Sequence, residues 1–139
     1  MGVANDLAPG AALPNLEVGP ISRLDLALYC GASGDHNPMH VDIDFARAHG
    51  HDDVFVHGML SMAYLGRLLT DAFEPGSVRS FSARFLAIVH VGEVLQCSGR
   101  VAEISTDSDG ARLARLEIVA VSTAGVKALE GEAVVALQR

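Results

Sequence analysis

Hydrophobic and polar positions follow two different periods along this chain. From residue 77 onward the period is two. Residues 77–89, 93–104, 111–122 and 126–137 alternate apolar and polar, are rich in Val and Ile, and are split by Val91-Gly92, Asp107-Ser108-Asp109-Gly110 and Ala124-Gly125. Such segments predict four long strands in hairpin succession, an antiparallel meander. The first half is different. Ser22, with Asp25 three residues on, reads as a shortened capping box, and Leu24, Leu26, Ala27 and Leu28 predict a helix running to Gly31 or Ser33. A short helix is predicted over Ile43 to His49, ended by Gly50. Met59 to Leu69 reads MLSMAYLGRLL, apolar on nearly every side, so this helix is predicted to be buried all round. In a chain of 139 residues, only a sheet wrapped around it can do that.

One curled antiparallel sheet around one buried helix is an α+β architecture, the hot-dog arrangement. The length bounds it to a single domain. Residues 1–15, rich in Ala, Gly and Pro, are predicted to be a flexible lead-in, and residues 16–139 the domain. Composition mainly excludes alternatives. With 50% hydrophobic and 19% charged residues the chain is folded rather than disordered. The net charge is −7 and no basic stripe exists, which argues against nucleic acid as a partner. Ser61, Gly66 and Arg67 interrupt the one apolar run that approaches membrane-spanning length. The N-terminus has neither the charged region nor the apolar region of a secretory signal. Cys30 and Cys97 show no metal-ligand spacing. A reduced cytoplasmic protein with no membrane partner is expected.

The candidate chemistry lies in the loop Ser33-Gly34-Asp35-His36-Asn37-Pro38-Met39-His40 and at His57-Gly58. Pro38 excludes helical stacking of Asp35 on His40, so a tight loop must bring the two together. A carboxylate and an imidazole sharing one water form an acid/base pair able to work near neutral pH. Asp35 can equally cap the loop backbone while His40 starts the next segment, and loops of this composition usually do only that. His36, His40, Asp42 and Asp44 lack the helical register of a zinc motif, and a metal is rejected. His49, His51, Asp52 and Asp53 read as solvated loop residues. Gly58 opens the apolar helix, where unpaired N–H groups can meet a ligand carbonyl, although a glycine there often only permits a tight turn. The Ser61 hydroxyl lies near the same place, and bonding to its own backbone is its commoner fate.

Tyr29-Cys30-Gly31-Ala32-Ser33-Gly34-Asp35-His36-Asn37-Pro38-Met39-His40, then Asp44 and Ala46, then His57-Gly58-Met59-Leu60, together resemble the MaoC-like hydratase/dehydratase family. Arg84-Phe85 and the Gly92-Glu93 turn extend the resemblance from roughly residue 16 to the C-terminus. It implies a hot-dog domain, usually dimeric, with two sheets joined edge to edge. Asp35 and His40 would hold the reacting water, the Gly58 amide would serve as oxyanion donor, and Asn37 would brace the catalytic loop. His57 and Ser61 would support them. The implied reaction is reversible hydration of trans-2-enoyl thioesters to (3R)-3-hydroxyacyl thioesters, with no cofactor. Its substrate would be carried by coenzyme A or acyl carrier protein, with Arg79, Arg84 or Arg100 meeting the carrier phosphate near the tunnel mouth. The partner would be a second copy or a related hot-dog subunit. The alternative is a subunit of a heteromeric 3-hydroxyacyl dehydratase that works only with its partner. A hot-dog thioesterase would need a carboxylate on the central helix, and Met59 to Leu69 has none. Ala87 and Glu93 depart from the family's usual proline and aspartate and bear on the tunnel rim rather than on the catalytic pair.

Overall fold

The computed structural model describes residues 7–138. In chain order the elements are β1 (Leu16–Val18), α1 (Arg23–Ser33), a 3-10 turn (Pro38–His40), α2 (Ile43–Ala48), α3 (Gly58–Ala72), a second 3-10 turn (Pro75–Ser77), β2 (Val78–Phe85), β3 (Leu95–Thr106), β4 (Arg112–Ser122) and β5 (Lys127–Ala136). The expected capping box starts α1: the Asp25 N–H donates to Ser22 Oγ at 3.1 Å, and the Ser22 N–H donates to the Asp25 carboxylate at 2.7 Å. Gly34 ends the helix at φ +76°, a conformation that glycine adopts without steric cost, and its N–H donates to the Cys30 carbonyl.

The sheet is antiparallel throughout, in the order β1-β3-β4-β5-β2. Strands β3, β4 and β5 form the expected hairpins. The expected meander fails at β2, which pairs with β5 at the far edge instead of with β3. Residues 86–94 carry the chain across, and Val89 and His90 pair on the way with Val56 and Phe55. The lead-in also differs from expectation. Residues 1–6 lie outside the described residues, but Gly10, Ala11 and Leu13 bond to the β3 backbone at Val101 and Gly99, and Leu7 and Leu13 are buried. Two isolated leucines among Ala, Gly and Pro are too sparse to register as a periodic pattern, yet they cover the end of the core.

Helix α3 packs on β2, β3 and β4, and Leu65, Leu68 and Leu69 join Leu95, Val101 and Leu116 in one apolar core. Burial of each such side chain contributes about 1.5–3 kcal/mol. The expectation of burial on all sides is corrected: Met59, Ala63, Arg67 and Thr70 are exposed, so the sheet covers one face of α3 and leaves the other open. The sheet side is held by a matched pair of contacts. A Cβ on Gly66 would lie 3.1 Å from the Phe81 ring, and one on Gly58 would lie 3.2 Å from the Phe85 ring. Eight helical residues rise about 12 Å and four strand residues about 13 Å, so two glycines and two phenylalanines meet in register. Among the described residues no helix is long and apolar enough to cross a membrane.

Candidate active site

The loop from Ser33 to His40 is built by short polar side chains at every second position. Ser33 Oγ accepts from the Asp35 N–H at 3.1 Å, Asp35 Oδ1 from the Asn37 N–H at 3.3 Å, and Asn37 Oδ1 from the Met39 N–H at 3.1 Å. Each bond closes a tight turn two residues wide. The Ser33 hydroxyl donates to the Tyr29 carbonyl at 2.6 Å and ties the loop to the end of α1. Asp35 therefore does cap the loop and is at the same time placed beside the histidines. Asn37 braces the loop by both its side chain and its N–H.

His40 is 8% exposed and its orientation is fixed. Its Nδ1 lies 2.7 Å from the Phe55 carbonyl. A carbonyl only accepts, so Nδ1 carries a proton, and in the neutral ring the lone pair falls on Nε2. The His57 ring stacks on it, centroids 3.8 Å apart and planes 24° apart, and Tyr29 meets the His57 ring in a T-shaped contact at 4.8 Å. One ligating atom each of Asp35, His40 and His57 falls within 4.8 Å of the others. That span suits a water bonded to Asp35 and His40 at once, since two hydrogen bonds of about 2.8 Å reach it.

His57 is the N-cap of α3 and forms no side-chain cap bond, so the N–H of Gly58, the first residue of the helix, keeps no hydrogen-bond partner among the described residues. The Phe85 ring lies 3.2 Å from where a Cβ on Gly58 would stand, which is a packing reason for glycine there in addition to ligand access. A metal ion does not fit the cluster. Imidazole lone pairs lie in the ring plane, and two near-parallel stacked rings cannot both aim at a point about 2.0–2.1 Å away. His36 turns back to the Gly34 carbonyl at 3.1 Å, and Asp42 caps α2 by accepting from the Asp44 and Phe45 N–H groups. Neither joins the site.

Three placements escape the sequence. Cys30 has no base near it in sequence, yet the fold brings His57 Nε2 to 3.5 Å from its Sγ. Ser61 Oγ is buried with no hydrogen-bond partner, against the expectation that it bonds its own backbone. Arg84 and Arg100 line a groove of about 960 Å³ with Glu117, Glu130 and Glu132, on the outward-facing rows of the sheet. The period of two explains this: Phe85 and Val101 face α3, so Arg84 and Arg100 point the other way.

Burial, and then the neighbouring His40, hold the His57 pKa below its ordinary 6.5. Above that value His57 is neutral folded or unfolded, and its contribution to stability is fully present. Below it the unfolded chain binds the proton first, so stability declines as the pH falls towards the folded value. Urea midpoints measured from pH 7 down to about 5.5 should fall, and His57→Gln should flatten that decline. An unchanged slope in the variant would remove His57 as its source.

A family model described as "MaoC like domain" matches residues 8–121. The chain is 30% identical over 133 residues to the (R)-specific enoyl-CoA hydratase of Aeromonas caviae, covering 88% of this chain and 96% of that one. It is 32% identical over 97 residues to the peroxisomal multifunctional enzyme type 2 of Mus musculus, 65% of this chain, but spans only 13% of that protein's length. Among solved structures, the unliganded R-hydratase PhaJ1 of Pseudomonas aeruginosa superimposes with a TM-score of 0.82 at 27% identity, covering 96% of this chain and 84% of that one.

Proposed function

Because the chain belongs to the MaoC-like domain family, we propose that it reversibly hydrates trans-2-enoyl thioesters to (3R)-3-hydroxyacyl thioesters. The observation that carries this reading is the His40 ring, oriented by its Nδ1 bond to the Phe55 carbonyl and grouped with Asp35 and His57 within 4.8 Å, next to the unpaired N–H groups at the start of α3. In hydration, the thioester carbonyl accepts the Gly58 N–H, which draws electron density from C3 and stabilises the enolate oxygen by about 3 kcal/mol. Water held between Asp35 and His40 adds its oxygen to C3 as one of them takes its proton. A proton returns to C2 on the same face, and the enolate collapses to the thioester. Dehydration retraces the path. Asn37 keeps the Asp35 carboxylate in place, and no cofactor enters the chemistry.

Coenzyme A is the carrier tested first. Arg84 and Arg100 line a groove on the outer face of the sheet. The partner in this reading is a second hot-dog subunit, a copy of this chain or a relative. What favours it is the open edge of β2, whose last residue Phe85 is exposed, as are Leu86 and Ile88 just after it and Met59 on α3. An unpaired edge strand flanked by apolar side chains is a surface that proteins cover.

Purified protein is expected to consume crotonyl-CoA, followed as loss of the conjugated enoyl thioester. Folded protein inert towards crotonyl-CoA and towards longer enoyl-CoAs contradicts this reading. Activity that returns only on adding a related hot-dog subunit would favour the heteromeric alternative.

A further inference from the structure

The first turn of α3 seals two polar atoms from solvent without giving either a partner: Nδ1 of His57 and Oγ of Ser61. Ser61 donates its N–H to the His57 carbonyl at 3.2 Å, so the two residues stand one helical turn apart. The other side of the His57 ring determines what Nδ1 is. His57 Nε2 lies 3.3 Å from the Asp35 carbonyl oxygen, which only accepts, so Nε2 carries the proton. The ring is held neutral by burial and by His40, and a neutral imidazole protonated at Nε2 has a bare acceptor at Nδ1. A serine hydroxyl with an unspent proton is the matching donor. Leaving both unmatched would cost about 1–3 kcal/mol each.

We propose that Ser61 is a positioning residue for the hydration site: its hydroxyl donates to His57 Nδ1, directly or through one internal water, and holds His57 in the tautomer that grips the Asp35 carbonyl. Without that donor the opposite tautomer competes. Nε2 would then accept from the Cys30 thiol, 3.5 Å away, and turn its lone pair against the Asp35 carbonyl. The loop that carries Asp35 would lose its tie to α3. The loss would fall on the chemical step, because the Gly58 N–H that meets the thioester is untouched.

The role rests on the hydratase reading, so the test has one arm independent of turnover. Long-range ¹H–¹⁵N spectra of the histidine side chains are expected to show His57 as the Nε2–H tautomer in the wild type and as a mixture in Ser61→Ala. In the second arm, Ser61→Ala lowers kcat for crotonyl-CoA about tenfold with KM within about twofold, and Ser61→Thr, which keeps the hydroxyl, restores it. Ser61→Ala with an unchanged His57 tautomer overturns the proposal, as does a wild type protonated at Nδ1. So does a variant that melts earlier at native kcat, which would make Ser61 a packing residue. An inert wild type with the expected tautomer change in Ser61→Ala would sink the hydratase reading and leave the His57–Ser61 pairing standing.

Discussion

Asp35→Asn is expected to lower kcat for crotonyl-CoA by about 10³-fold while leaving the fold intact. Asparagine is isosteric, and its side-chain oxygen can still accept the Asn37 N–H that Asp35 Oδ1 accepts at 3.3 Å. The loop turn is therefore kept, and thermal melting should shift little. What is lost is the base: an amide cannot take a proton from water near neutral pH. His40 would be a less clean probe, because its Nδ1 bond to the Phe55 carbonyl at 2.7 Å is part of a buried contact and any replacement disturbs both roles. Steady-state kinetics on the two proteins reads the effect. Asp35→Asn with wild-type kcat removes Asp35 from the chemistry.

The largest expected structural effect comes from Gly131→Ala. Gly131 pairs with Ala83 between β5 and β2, and an added Cβ would lie 2.0 Å from the Ser82 carbonyl oxygen and 2.9 Å from the Ala83 α-carbon. Both obstacles are backbone, so no rotamer change relieves them and β2 must shift away. The expected loss is about 3 kcal/mol of stability, together with loosening of β2 against α3. Because Phe81 and Phe85 follow β2, the contacts on Gly66 and Gly58 should loosen with it. Chemical denaturation measures the first effect, and faster amide exchange confined to β2 measures the second. A variant as stable as the wild type, with β2 equally protected, contradicts this packing. Gly66→Ala is a milder comparison, since its Cβ meets only the movable Phe81 ring at 3.1 Å.

Local chemistry was readable in the sequence where neighbours in sequence are also neighbours in space. The Ser22/Asp25 box, the end of α1 near Ser33 and the three long hairpin strands depend on residues a few positions apart. So does the candidate loop, where Asp35 is read as able to cap its own backbone and the structure finds Ser33, Asp35 and Asn37 each closing a turn two residues wide. Pairing between distant segments was not readable. Nothing in the alternation of residues 78–85 says whether they join β3 or β5, since both pairings are antiparallel and bury the same face. The burial of α3 was overestimated because apolar composition does not say how much of a helix one chain can cover. The environment of His57 was hidden for the same reason. Cys30, His40 and Ser61 surround it from three elements, and only the folded chain reveals that its Nδ1 and the Ser61 hydroxyl are left facing a shared need. A glycine likewise does not announce its neighbour, and Gly58, Gly66 and Gly131 each answer to a specific ring or carbonyl brought in by β2.

The most direct measurement is the stereochemistry of the product formed from crotonyl-CoA in D₂O, read by NMR. Asp35 and His40 around one water on one side of the bound chain require a (3R)-hydroxybutyryl product with a single deuterium at C2, on the same face as the new hydroxyl. A (3S) or racemic product, or deuterium scattered over both faces, would contradict delivery of water and proton from this one site.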